Sequence, residues 1–489
     1  PREEVAGGRW IAAVGERGMD FSAAGFFFAR ELYERYGVPV GLILTAVGGT
    51  PVEAWMSEPT LRRLGGFDEL LDRCKDDAYV AATLKSDEER HRRWHEALNK
   101  RDAGRKEGWH RERLDTSDWG DFELPDSWRA CGLEDARGAV WFRREFEVPP
   151  SMAEGGAMLR LGTVVDADET YINGVLVGSV AYRYPPRRYP IPAGVLKPGK
   201  NTIAVRVLSI LGTGEFIRGM PYELVADGRT IDLSGTWKYR VGAVAEEELA
   251  PPTFFQYMPA GVYNGMIVPV SRYAIKGVLW YQGESNVARP EGYRRLFREM
   301  VRDWRDLWKI GDFPFIFVQL ANFSDFDDGL ERWAALREEQ RKCLDIPNTA
   351  MAVAIDIGEP NDLHPQDKKT LGERLALCAR RLAHGENIVH SGPLYRRMER
   401  EGDAVRIRFD HVGQGLTTRD GKEPAGFAVL GPDGIWRPAR AVISGDTVLV
   451  SHERIREPRH VRYAWANNPA EANLCNREGL PAVPFSTET

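Results

Sequence analysis

Asp362 and His364 stand two residues apart in "NDLHPQDKKTLGERLA", ahead of a helix that starts beyond Pro365. A carboxylate so placed can fix the tautomer of an imidazole and stabilise the imidazolium, while the imidazole withdraws a proton from a hydroxyl. The plainer reading is a loop histidine beside a helix-capping aspartate. A second cluster lies in "GVLWYQGESNV", residues 277–287, where an apolar run ends in Gln282, Glu284, Ser285 and Asn286. So many hydrogen-bonding side chains at one strand tip suit the rim of a polar site, against the plainer reading of a surface loop. Another run ends in Gln319 with Asn322 nearby, and another in Gly48-Gly49-Thr50. The glycine pair is either a tight turn or a place where backbone N–H groups come close to a ligand.

Tips of this kind need strands whose carboxyl ends converge. The runs "VPVGLILTAVGG", "KGVLWYQ", "FPFIFVQLA" and "TAMAVAI" are almost continuously apolar, as in parallel strands covered on both faces. Helical stretches at 293–307 and 371–382 alternate with them, and Ser22 caps another helix that Gly37 stops. The order predicts a parallel sheet with helices on both sides, in which ligands bind beyond the carboxyl ends of the strands. From about Arg113 to Ala243 the texture becomes apolar-polar alternation, with Asn173-Gly174 set between two strand-like runs as in a type I′ hairpin. An all-β insertion at 113–243 is therefore expected to interrupt one α/β domain. The parts of that domain are 1–112, including a charged helical elaboration at 61–108, and 244–395. Alternating strands make 396–489 a C-terminal β region.

A chain of 489 residues calls for two or three domains. With 43% hydrophobic residues, 28% charged residues and a net charge of -6, it offers no basic face for phosphates, which argues against a nucleic-acid partner. Nowhere do eighteen apolar residues run together, and the first residues carry no positive-then-apolar signal pattern, so neither a membrane span nor a membrane partner is expected. Five cysteines without CxxC spacing argue against a disulfide framework or a zinc site, and favour reduced thiols and a cytoplasmic setting, with secretion left open. His91 and His95 in "HRRWH" lack the glutamate of a zinc-protease motif and read as a solvated helical face.

The stretches "GLILTAVGGTPVEAWMS", "GVLWYQGESN", "PFIFVQLANF", "DLHPQDKKTLGERLAL" and "VRYAWANNPAEANLCNREGLPAVPF" together resemble the sialate O-acetylesterase family of SGNH hydrolases. The resemblance implies a flavodoxin-like three-layer α/β domain, interrupted by a jelly-roll-like sugar-binding insertion. It also implies a serine esterase that removes acetyl groups from a sugar or glycan, without metal or cofactor. Carried onto this chain, His364 matches the general base and Asp362 its orienting carboxylate, with Asp356 in reserve. Gly49, or Gly48, and the Gln282 amide would form the oxyanion hole. Glu284, Asn286, Gln319 and Asn322 are candidate substrate ligands, and Trp55 and Trp280 candidate walls for a sugar face. The serine of the family lies in a "GQSN"-like turn ahead of what matches residues 1–25. Ser22 and Ser285 do not fit that role, so the nucleophile is expected upstream, on an N-terminal fragment that would partner the chain, and the chain alone is expected to be nearly inactive. Two other classes compete. One is a glycosidase using Glu284 with Asp356 or Asp362, and the other a non-catalytic carbohydrate-binding protein.

Overall fold

The computed structural model describes residues 4, 7–15, 18–19, 21–133, 136–210, 214–324 and 330–488. The chain divides into two units, one made of residues 1–76 and 254–489 and the other of residues 77–253.

In the first unit, the strands Val278–Trp280, Phe315–Gln319 and Thr349–Val353 form a parallel sheet with Phe315–Gln319 in the middle. The absence of polar alternation has the expected cause, since both faces are covered. Ile316, Val318, Ala350 and Ala352 point into a cluster with Phe28 and Leu32 of the helix Ala23–Tyr36 and Leu371 and Leu375 of the helix Lys368–Leu382. Phe315, Phe317, Met351 and Val353 face the other way, onto Phe297 and Trp304 of the helix Tyr293–Trp308. Each of the larger side chains among them contributes about 1.5–3 kcal/mol when removed from water, which fixes the register of the strands whose tips carry the polar residues. Ser22 caps its helix, with Oγ accepting from the Gly25 N–H at 3.1 Å, and Gly37 ends it in the left-handed region.

The sheet is narrower than expected of a flavodoxin-like fold. Residues 38–47 run without a ladder partner among the described residues, with Val38 60% and Leu44 51% exposed. An apolar run becomes a strand only where a neighbour takes its N–H and C=O groups. The C-terminal β region is present as two four-stranded antiparallel sheets and a two-stranded ribbon. Its apolar residues, among them Val405, Ile407, Val448 and Phe485, belong to the same core as the strand faces above.

The second unit is an antiparallel sandwich. A six-stranded sheet has Gly138–Val148 and Gly199–Ser209 at its centre, and a four-stranded sheet contains Ala157–Leu161 and Tyr222–Ala226. Phe142, Leu159, Val205, Leu224 and Trp237 fill the space between the sheets. The expected hairpin forms: Asn173 and Gly174 take φ of 49° and 85°, and Ile172 pairs with Val175. One boundary needs correction. The long helix Asp77–Arg101, expected as an elaboration of the α/β part, groups with the sandwich. Its Leu98 is buried against Ala139, Leu208 and Ala243, and Asp102 just beyond it accepts from Trp141 Nε1 at 3.0 Å and Arg206 Nε at 2.7 Å. Among the described residues no helix is long and apolar enough to cross a membrane. All five cysteines are free, and Cys343, Cys378 and Cys475 are buried.

Candidate active site at the carboxyl ends of the strands

Two loops meet beyond the tip of Val278–Trp280, and side chains lash them together. Gln282 donates from Nε2 to the Thr50 carbonyl at 3.2 Å and to Asn286 Oδ1 at 2.7 Å, while its Oε1 accepts from Tyr293 OH at 3.1 Å. Asn286 Oδ1 also accepts from the Val52 N–H at 3.0 Å, and its Nδ2 donates to Glu53 at 3.1 Å. Ser285 Oγ donates to the Gly49 carbonyl at 2.6 Å. The polar crowd at this strand tip therefore grips residues 49–53. Gly49 has φ of 77°, and a Cβ there would fall 2.4 Å from Tyr257 OH. A side chain is excluded by both torsion and space. Among the described residues the Gly49 N–H has no acceptor, the condition an oxyanion donor requires. Gln282 differs from expectation, because both its N–H bonds are engaged by Thr50 and Asn286. It positions the turn, and in this arrangement does not present a donor to a ligand.

The third strand leads to the His364 loop. Asp362 is 6% exposed, and its two oxygens accept from the His364 backbone N–H and from Gln366 Nε2, each at 2.8 Å. It thus holds the loop that presents His364, whose side chain is exposed. Partial loss of surrounding water lowers the pKa of the imidazole. Asp362 opposes that effect and Lys368 adds to it. Lowering favours the neutral ring, the form that accepts a proton. The reserve carboxylate is taken, since Asp356 receives both ends of the Arg374 guanidinium at 2.6 and 2.8 Å and has Arg419 at 3.5 Å.

Lys368, which the sequence reading passed over, joins the two loops. Its Nζ lies 5.1 Å from the centre of the Tyr281 ring, one residue before Gln282. Desolvation lowers its pKa, while Glu284, Asp362 and Glu359 pull it up. Burial in turn raises the Glu284 carboxyl, against the pull of Lys368. The only hint in the sequence is position, since Lys368 opens the helix that follows the His364 loop.

Other expected ligands are turned inward. Trp55, 4% exposed, packs edge-on against Trp280 at 5.7 Å and donates from Nε1 to Thr50 Oγ1 at 2.8 Å. Trp280 is equally enclosed, so neither indole offers a face to a sugar. Gln319 is fully buried and donates to the Arg337 carbonyl at 3.0 Å, which removes it from the ligand set too. Asn322 donates to Asn468 at 2.9 Å, and its own Oδ1 has no partner. That oxygen faces the start of the His364 loop, where a Cβ on Gly358 would fall 2.3 Å from it. Arg337 braces this end of the sheet, donating to the carbonyls of Leu320, Ala321, Ala466 and Asn467 at 2.6–2.9 Å. Among the described residues no group of three or more His, Cys, Asp or Glu could hold a metal ion.

Residues 256–380, which contain the 282–286 and 362–364 loops, match a family described as carbohydrate esterase, sialic acid-specific acetylesterase. Sialate O-acetylesterase of Mus musculus is 32% identical over 251 residues, covering 46% of this chain and 46% of that protein. The Homo sapiens protein of the same name is 29% identical over 293 residues, 55% of each. The chain thus spans about half the length of the curated relatives it matches. A carbohydrate acetylesterase from Xanthomonas citri aligns at 26% identity and a TM-score of 0.45, covering 73% of this chain and 96% of that one.

Proposed function

From a chain whose residues 256–380 match the sialic acid-specific acetylesterases, we infer a carbohydrate O-acetylesterase that hydrolyses acetyl esters on sugars. The observation that carries this reading is His364. It is exposed beyond the carboxyl end of a parallel strand, biased toward the neutral ring, and held by a buried Asp362 that grips its backbone N–H. In the proposed reaction a serine Oγ attacks the acetyl carbonyl carbon as His364 takes the hydroxyl proton. The Gly49 N–H donates to the oxygen that becomes negative. The tetrahedral centre collapses with loss of the sugar oxygen, which receives the proton from the imidazolium. Water, deprotonated by the same ring, then attacks the acyl carbon, the serine oxygen leaves and regains the proton from the imidazolium, and acetate is released. The nucleophile in this proposal is the serine expected ahead of residue 1. Substrate is an acetylated sugar or glycan.

The paired-carboxylate alternative is weaker. Both oxygens of Asp356 are held by Arg374, and both of Asp362 by the His364 loop and Gln366, so neither of the two aspartates weighed as a partner for Glu284 is free. The test, run on the protein extended to include the expected upstream segment, is acetate release from an O-acetylated sugar, together with labelling by a serine-directed phosphonate located by peptide mass spectrometry. His364→Ala is expected to lower acetate release by on the order of a thousand-fold or more, with the label on a serine upstream of this chain. Undiminished release by His364→Ala would remove the histidine from the mechanism. A label on Ser285 would move the nucleophile into the chain.

A further inference from the structure

The C-terminal β region carries an aromatic stack that the ester-cleaving reading does not use. The strand Phe427–Leu430 pairs with Trp436–Pro438 on one side and His460–Tyr463 on the other, so that Ala428 lies opposite both Pro438 and Arg462. On this face the Arg462 guanidinium sits 4.2 Å from the centre of the Trp436 ring and 4.5 Å from that of Trp465. Glu488 at 2.6 Å and Glu331 at 3.6 Å hold the guanidinium in place. A cation so clamped against an indole fixes the ring before any ligand arrives.

Beside Trp436 lies a shallow, solvent-open cavity of about 640 Å³. Ala428, Trp436 and Pro438 give it an apolar wall, and Glu423, Arg440 and Glu471 a polar rim. Arg462 is not among the residues that line the cavity. Trp436 keeps part of its surface exposed. The charges restrict what fits. Arg440 is paired with Glu423 at 3.6 Å, and Arg437, also in the wall, is engaged by Asp433 at 2.6 Å. Glu471 then leaves the rim without a cationic excess, which disfavours phosphates, carboxylated sugars and nucleotides. A preset indole beside carboxylates suits a ring with one C–H face and a girdle of hydroxyls.

We propose that this cavity binds a pyranose unit of an uncharged glycan, with Trp436 as the platform and Glu471 and Glu423 accepting from its hydroxyls. The site needs no acetyl group, so it stands or falls apart from the esterase reading. The test applies the labelled protein to an array of neutral glycans free of acetyl groups and containing xylose, glucose, galactose and mannose, with sialylated glycans alongside. Wild type is expected to bind one or more neutral classes above the sialylated ones. Trp436→Ala should lower that signal at least about tenfold, with the melting temperature reporting whether the sheet survives. Because loss of the indole can unsettle the sheet, Glu471→Ala, at an exposed position, is the second variant and should weaken the same signal. No neutral-glycan signal in the wild type, a stronger signal from sialylated glycans, or full binding by both variants would each overturn the assignment.

Discussion

A single charge tunes the proposed base. Lys368 is among the groups that lower the His364 pKa below its ordinary 6.5, and the same ammonium holds down the Glu284 carboxyl, which burial pushes up. Taking the charge away acts on both groups in one direction. In Lys368→Met the imidazole gains a proton more easily and its pKa rises, and the Glu284 carboxyl rises too. Since the neutral ring is the form that accepts a proton, the acid limb of acetate release should move to higher pH along with it. NMR titration of the His364 ring reads the shift without requiring turnover. Lys369→Met, one residue on and exposed, should leave that titration where it is. Equal curves for the two variants would show that Lys368 does not act on the histidine.

Elements explain which parts were legible beforehand. The strands Val278–Trp280, Phe315–Gln319 and Thr349–Val353 could be read because burial on both faces demands apolar residues throughout. The Asp362–His364 loop could be read because its residue types are rare outside chemistry or capping. The helix Arg332–Lys342 could not, since "RWAALREEQRK" looks solvated while Arg337, Glu338 and Gln340 are buried. Arg337 and Gln340 serve carbonyls and N–H groups at the strand tips, while Glu338 pairs with Arg341 on the same helix, and periodicity does not distinguish a buried arginine from an exposed one. Gln282 was legible as polar and illegible in direction, because only the fold decides that its amide turns toward Thr50. Trp55 failed for the converse reason: an aromatic residue near a tip serves a core as readily as a ligand. The brace has a cost when removed. Arg337→Ala strips the donors from four backbone carbonyls in a buried setting and should destabilise the protein by about 3 kcal/mol or more. Urea unfolding measures it, and a change under 1 kcal/mol (roughly one net hydrogen bond) would mean that water replaces the guanidinium.

At the scale of the whole molecule, each unit has its own core, and damage should stay local. Leu159 is fully buried between the sheets of the sandwich, and Leu159→Ala is expected to cost about 2–5 kcal/mol there. Hydrogen exchange should quicken across residues 77–253 and leave the protected strands at 315–319 and 349–353 unchanged. Acceleration in both would show that the units unfold as one. The run without a ladder partner has a further consequence, for colloidal behaviour. Residues 41–47, "GLILTAV", carry no charge and no proline, and present Ile43 and Leu44 to solvent. In a chain separated from the expected upstream fragment, such a segment is a template for a second molecule, on which identical copies can stack in register into a cross-β fibril. Leu44→Lys should lengthen the lag before thioflavin fluorescence appears in concentrated solution while leaving the melting temperature in place. The proposed active site would then lie only a few residues from the protein's own seed for aggregation.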